Sequence, residues 1–244
     1  RQGRFDRDTA GLLVGLGHTV CRRWREPDAG IWERRGDGRQ HTHSKVLCWV
    51  ALDRLLRLHE RGQLNAPVAL FSTHRHAIRA EIEARGYNER LGSYTTTLDG
   101  DDVDASLLAL PLYGYVDAAA PRMRSTCARI RERLGRDGLV FRSAPTGGEG
   151  AFGICGFWAV ECLAGAGDLD AATRAFEDLL GYANDLGLYA EEIAPETGAH
   201  LGNFPQAFTH VGLINAATTL ARLRAGGHRA SPAPRHTLAA EGHR

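Results

Sequence analysis

Apolar residues recur along most of this chain at steps of three and four, the spacing of one helix face, while runs that alternate residue by residue are nearly absent. The pattern predicts an all-α protein. Met123, Cys127, Ile130 and Leu134 follow steps of four, three and four behind Pro121, which suits a first helical turn, and Gly135 supplies a stop. Leu169, Ala172, Phe176, Leu179 and Leu180 form a second stripe, opened by Asp168 as an N-cap and followed by Gly181. Phe204, Phe208, Val211 and Ile214 form a third. With stretches near 7–25, 44–61, 74–85, 104–114 and 150–165, about eight helices are expected, joined by connections that alternate between short and long. The long connections, 26–43, 87–103, 136–149 and 187–203, hold most of the Gly, Trp-Glu, Glu-Glu and Asn-Phe-Pro punctuation, as expected when scaffold helices carry function on loops. If successive helices pair antiparallel, those loops gather on one face. Residues 226–244, GGHRASPAPRHTLAAEGHR, have little apolar content and many turn formers, so a disordered tail is expected behind a helical domain over 1–225.

Composition narrows the picture. The chain has 244 residues and 43% hydrophobic content, enough to bury a sizeable core. Thirty Lys plus Arg against 29 Asp plus Glu leave no charge bias toward a nucleic-acid or anionic-membrane partner. No apolar run approaches the roughly 20 residues of a membrane helix, and no signal peptide opens the chain. The cysteines at 21, 48, 127, 155 and 162 are odd in number, form no Cys-x-x-Cys pair and fall mostly among apolar neighbours. They read as buried thiols in a reducing, cytoplasmic compartment. The first residue is Arg1, and residues 7–25 already carry a helical pattern, so an N-terminally truncated fragment that starts inside an element is expected.

Two carboxylate sites stand out in the long connections: Glu33 behind Trp32, and Glu191-Glu192 in GLYAEEIAPETG. Two carboxyl groups facing a cleft suit glycoside hydrolysis, one donating a proton to the leaving oxygen and one activating water or attacking directly. An aromatic neighbour can stack on a sugar ring and desolvate the carboxyl. Pattern alone leaves open the reading of both as surface loop residues. Metal binding is not expected: His41 and His43, and again His74 and His76, lie two apart, but no Cys or carboxylate cluster accompanies either pair. A serine hydrolase lacks its Gly-x-Ser-x-Gly elbow, and GGEG at 147–150 lacks the strand, spacing and Lys of a phosphate loop. No cofactor is implied.

GIWERRG, HTHSKVLCWVALDR, DASLLALPLYGY, GGEGAFGICGFW, LYAEEIAPETG and LGNFPQAFTHVGLINAA, in this order, resemble glycoside hydrolase family 15 from about residue 8 to residue 224. That family includes glucoamylases, glucodextranases and bacterial trehalases. The resemblance implies an (α/α)6 toroid with the active site at the loop end of its inner helices, here N-terminally truncated, with about eight of twelve helices present. An open arc of this kind exposes apolar surface, so poor solubility of the isolated chain is expected.

By the same resemblance, Glu33 is the general acid, Trp32 lines the sugar site, Glu191 is the general base with Glu192 as its polar neighbour, and Arg142 hydrogen-bonds the terminal sugar. Family members invert the anomeric centre, which implies carboxyls about 6.5–9.5 Å apart. His43, Lys45, Glu149, Asn203 and Gln206 stand in the matching motifs and are expected to line the substrate pocket or brace it, Asp104 to cap an inner helix nearby, and Trp49, Phe157 and Trp158 to pack between helices. Arg34 departs from the pattern, standing where fungal glucoamylases carry a second acid. The implied activity is an inverting, exo-acting α-glucoside hydrolase releasing glucose from trehalose or short α-glucans, with a disaccharide or oligosaccharide as its partner. The alternative is a non-catalytic helical toroid acting as scaffold or interaction protein. Oligomeric state stays open.

Overall fold

Seven α-helices and one short 3-10 helix carry the chain in a computed structural model that describes residues 3–33, 35–36, 38–145 and 147–226. The expected tail at 226–244 lies almost wholly outside the described residues, as does Arg34. The α-helices are α1 Arg7–Arg23, α2 Thr42–Glu60, α3 Val68–Arg85, α4 Pro121–Leu134, α5 Gly153–Gly165, α6 Leu169–Leu180 and α7 Ala207–Arg224. Local chemistry accounts for several boundaries. Asp6 accepts from Thr9 N–H at 2.9 Å to open α1, Asp168 accepts from Ala171 N–H at 3.1 Å to open α6, and Pro121 starts α4. Met123, Cys127, Ile130 and Leu134 are all buried on α4, as their spacing predicts.

Helix α2 packs between α1 and α3, and α5 between α6 and α7, with α4 and the 3-10 helix linking the two groups. α5 (GICGFWAVECLAG) is buried around most of its circumference because its sequence is apolar on every side. Its glycines let neighbours close in: a Cβ on Gly153 would meet Thr209 Cγ2 of α7 at 2.6 Å, and one on Gly156 would meet Leu179 Cδ2 of α6 at 2.8 Å. Trp49 and Phe157 are buried between helices as expected.

Two sequence expectations are corrected. The helix expected over 104–114 is a 3-10 segment, Ala105–Ala109, because Pro111 has no N–H to continue an α-helical ladder. The third apolar stripe faces the wrong way. Phe208, Val211 and Ile214 are 51–68% exposed, Phe204 precedes the helix, and Thr209, Gly212, Ala216 and Leu220 form the buried face of α7. Contact with α5 selects the small residues, since only they permit the close crossing. Leu12 and Leu16 of α1 are likewise exposed. The all-α reading holds, and the strands among the described residues are each two residues long, too short to show alternation. β1 Tyr87–Asn88 pairs with β2 Ser93–Tyr94, and β3 Gly135–Arg136 with β4 Leu139–Val140. β5 Ala151–Phe152, β6 Glu192–Ile193 and β7 His200–Leu201 form an antiparallel sheet in that order.

Polar clusters brace the helices. Asp53 on α2 pairs with Arg54, Arg57 and Arg75 at 2.7, 2.8 and 3.1 Å. Glu83 on α3 accepts from the Tyr115 hydroxyl at 2.8 Å, the Tyr94 hydroxyl at 3.1 Å and Arg122 Nη1 at 3.3 Å. Both tyrosines are buried. Glu83→Ala leaves two buried hydroxyls without their acceptor, so equilibrium urea unfolding should show a loss of about 1–3 kcal/mol, whereas Tyr115→Phe removes only one bond and should cost less.

On α5, burial raises the Glu161 carboxyl to about 7, against the lowering effects of its Thr219 hydrogen bond and Arg222. A folded-state value above the ordinary 4.5 favours the protonated form, so this group's stabilising contribution is complete below about 4.5 and is lost as pH rises through about 7. His43 acts oppositely: burial depresses it to about 4, so its contribution is lost as pH falls. The stability difference between the protein and Glu161→Gln isolates the first effect. That difference should shift in favour of the variant between pH 4.5 and 7, as read by the thermal midpoint across the range.

Candidate active site

The connection from α1 to α2 is a loop closed at its neck. Asp28 and Arg39 exchange two backbone hydrogen bonds of 2.9 and 2.8 Å, and the Asp28 carboxylate accepts from Gly30 N–H at 2.6 Å and the Ser44 hydroxyl at 2.8 Å. Its far end carries Trp32 and Glu33. Glu33 N–H donates to Gly30 C=O at 3.2 Å, and Glu33 itself sits exposed at φ 47°, a left-handed conformation uncommon outside glycine. Lys45, just inside α2, is buried and donates through Nζ to the carbonyls of Trp24 and Glu26, the latter at 3.0 Å, which secures the start of the loop. Burial lowers the Lys45 ammonium from its ordinary value.

The Trp32 ring is half-buried, and its Nε1–H donates to Asp104 Oδ2 at 3.1 Å. Phe152 meets it edge-on with centroids 5.9 Å apart, and Trp158 of α5 tilts against it at 6.4 Å. The Arg142 guanidinium lies 4.8 Å from the Phe152 ring centroid and 6.0 Å from that of Trp32, and it forms an ion pair with Glu149. Ala105 N–H donates to Arg142 C=O at 2.9 Å, joining the DASLL segment to the arginine's own strand of chain.

Phe152 also belongs to the second carboxylate. In the small sheet it stands opposite Glu192, whose Oε2 accepts from Gly150 N–H at 2.8 Å. Gly153 N–H, the first of α5, donates to Glu191 C=O at 3.0 Å. Glu191 N–H donates to Asn203 C=O at 2.9 Å, and its carboxylate Oε2 accepts from Asn203 N–H at 3.1 Å and Asn203 Nδ2 at 2.8 Å. The half-buried carboxylate is thus gripped by one residue on both backbone and side chain. Gly202 sits at φ 71°, and a Cβ there would reach within 2.9 Å of Glu191 Oε2, so this approach requires glycine. Gln206 precedes α7 and donates its N–H to Tyr189 C=O at 2.9 Å, while its own carbonyl accepts from His210 at Nδ1, 2.7 Å away.

Of the residues predicted from sequence, the structure links Trp32, Arg142, Glu149, Glu191, Glu192 and Asn203 into one continuous set through Phe152. His43 and Lys45 stand apart from it. His43 is 3% exposed, shares a 3.3 Å hydrogen bond with the Tyr113 hydroxyl, and is neutral at pH 7 because burial depresses it to about 4. Lys45 spends its donors on backbone carbonyls. His74 accepts from Trp24 Nε1 at 3.1 Å, and among the described residues no trio of His, Cys, Asp or Glu is grouped as metal ligands would be. Sequence reasoning did not find Phe152 or Asp28. The GEGAF motif carries the first and the Asp-Ala-Gly turn the second, but neither marks its side chain as a partner of a distant residue.

The family model for Glycosyl hydrolases family 15 matches residues 12–218. A trehalase of Mycolicibacterium smegmatis is 44% identical over 210 residues, covering 83% of this chain and 31% of that protein. A trehalase of Thermoplasma acidophilum is 37% identical over 202 residues, covering 81% of this chain and 35% of that protein. The chain thus spans about a third of the length of these curated relatives. A bacterial glucoamylase solved in complex with acarbose superposes with a TM-score of 0.72 at 15% identity, over 88% of this chain and 38% of that one. The Saccharomycopsis fibuligera glucoamylase superposes at 0.71 with 11% identity, over 86% and 60%. Their likeness is one of fold, and with it the expected all-α (α/α)6 toroid is the architecture to which these helices belong. On the family match and the shared identity with these relatives, this chain is a member of glycosyl hydrolases family 15.

Proposed function

We propose that this chain carries the catalytic carboxylates of an inverting, exo-acting α-glucoside hydrolase that releases glucose from trehalose or short α-glucans. The observation that carries the reading is the Glu191 carboxylate, held by Asn203 and joined through Gly153 and Phe152 to the Trp32 ring beside Glu33. Two carboxyls on loops tied to one aromatic junction suit a glycosidic bond placed between them.

In this reaction Glu33 delivers its proton to the glycosidic oxygen as the C1–O bond breaks. Glu191 removes a proton from a water whose oxygen attacks C1 from the opposite face, so the configuration at C1 inverts. The paired donors of Asn203 keep the Glu191 carboxylate from rotating away from that water. Trp32 offers an apolar ring to the sugar, and the Arg142 guanidinium, oriented by Glu149, offers N–H donors to its hydroxyls. Trehalose is favoured because the relatives that share 37–44% of these residues bear the name trehalase.

The decisive experiment follows trehalose cleavage by the full-length protein with proton NMR at early times. Inversion releases equal amounts of α- and β-glucose before mutarotation, whereas retention would release only the α anomer. Glu33→Gln and Glu191→Gln should each lower kcat by about 10²–10⁴-fold. A folded full-length protein that releases no glucose from trehalose, maltotriose or isomaltose would favour a non-catalytic scaffold instead. Gly202→Ala tests the grip on the base: its left-handed backbone and the encroaching Cβ should cost about 1–2 kcal/mol of stability, with a drop in kcat that exceeds any change in KM.

A further inference from the structure

Asp104 is 3% exposed, and among the described residues no cation pairs with it. A buried carboxylate without a counter-ion is costly and is kept only where its hydrogen bonds need it. Three donors reach it: Ser106 N–H at 3.0 Å and the Ser106 hydroxyl at 2.5 Å on Oδ1, and Trp32 Nε1–H at 3.1 Å on Oδ2. The two Ser106 bonds are an ordinary cap of the 3-10 helix, which an uncharged Ser or Asn supplies without burying a charge. The bond to Trp32 spans 72 residues of sequence and is the one that uses the second oxygen. Burial, the largest influence, raises this carboxyl above its ordinary range, while the bonds from Ser106 and Trp32 and the charge of His41 act to lower it.

The next residue completes the arrangement. Ala105 N–H holds Arg142 C=O at 2.9 Å, so the dipeptide Asp104-Ala105 anchors the Trp32 loop through a side chain and the Arg142 segment through the backbone. Glu33 has its neighbour fixed on one side by this anchor and its own N–H fixed to Gly30, and it occupies a left-handed conformation that costs a non-glycine residue about 1–2 kcal/mol. Something outside the loop must hold it there.

We propose that Asp104 is a positioning residue for Glu33, acting through the Trp32 indole to keep the turn that bears the proton donor in place against the Arg142 segment. The proposal rests on Glu33 being the general acid. Asp104 does not touch the substrate, and its effect is confined to the step that needs a well-placed proton.

Leaving-group dependence separates this role from a merely structural one. In the full-length protein, Asp104→Asn keeps a cap for Ser106 but offers a single acceptor oxygen, so it cannot serve both Ser106 and Trp32. Its kcat on trehalose should fall by about 10–100-fold with KM little changed. Hydrolysis of α-glucosyl fluoride, whose leaving group departs with little need of a proton, should be largely retained. Trp32→Phe, which keeps a ring for the sugar but lacks the N–H, should lower kcat on trehalose to a similar degree, and the double variant should be no worse on trehalose than either single one. Equal loss on both substrates, or additive losses in the double variant, would overturn the proposal. Glu33→Gln is the control for the underlying reading: if it loses both substrates equally, the general-acid assignment fails, whereas a selective loss there with none in Asp104→Asn fails the positioning role alone. Independently of activity, hydrogen exchange of the Trp32 indole N–H, assigned by its disappearance in Trp32→Phe, should accelerate in Asp104→Ala and Asp104→Asn. Unchanged exchange would rule the bond out, and this readout stands even where a variant is inactive.

Discussion

The hydrogen bond from Gly153 N–H to Glu191 C=O is the constraint on which the rest of the site depends. Gly153 is the first residue of α5, the most enclosed helix of the molecule, and its N–H is one of those a helix start leaves without an intrahelical partner. Satisfying that donor with the carbonyl of Glu191 ties a loop carboxylate to the most rigid body available. Phe152, one residue earlier, faces Trp32 and lies beneath Arg142, so the same junction sets both carboxylate loops. The absence of a Cβ at 153 matters here as well, because Thr209 of α7 occupies the space, and its hydroxyl donates to Ala190 C=O at 3.0 Å beside Glu191.

Loops that carry chemistry raise a general difficulty: their backbone polar groups have no ladder to pair with. This protein meets it with polar side chains used as brackets, two of them, Lys45 and Asp104, buried. Lys45 takes two carbonyls at the start of the Trp32 loop, Asp28 closes its neck, Asp104 holds its ring, and Asn203 returns three bonds to Glu191. Lys45 and Asp104 sit at helix starts, where backbone geometry is well determined. Lys45 and His43 share motifs with plausible substrate ligands, yet their side chains serve the scaffold in this structure. A charged residue inside a motif is therefore no direct sign of contact with substrate.

Helix α7 shows a second competition of forces. Its most hydrophobic positions, Phe208, Val211 and Ile214, face solvent, and the small face of Thr209, Gly212 and Ala216 packs on α5. Hydrophobicity alone would choose the opposite face. Close packing decides otherwise, because a Cβ on Gly212 would already meet Phe157 Cβ at 3.1 Å and a larger side chain would separate the helices.

What the sequence by itself determined was largely local in origin: the all-α class, the extents of α4 and α6, the cap at Asp168, the start at Pro121 and, through ordered motifs, the family. Helical periodicity and capping act within a few residues, so they are visible in a linear string. The tertiary structure alone decided which stripe of α7 is buried, that two-residue strands form around Glu192, and that Asp104, Phe152 and Asn203 hold the carboxylate loops. Those outcomes rest on partners far apart in the chain, such as Trp32 with Asp104 and Gly153 with Glu191. No local pattern encodes such pairings, because a donor's type is written in the sequence but the acceptor it meets is set by packing.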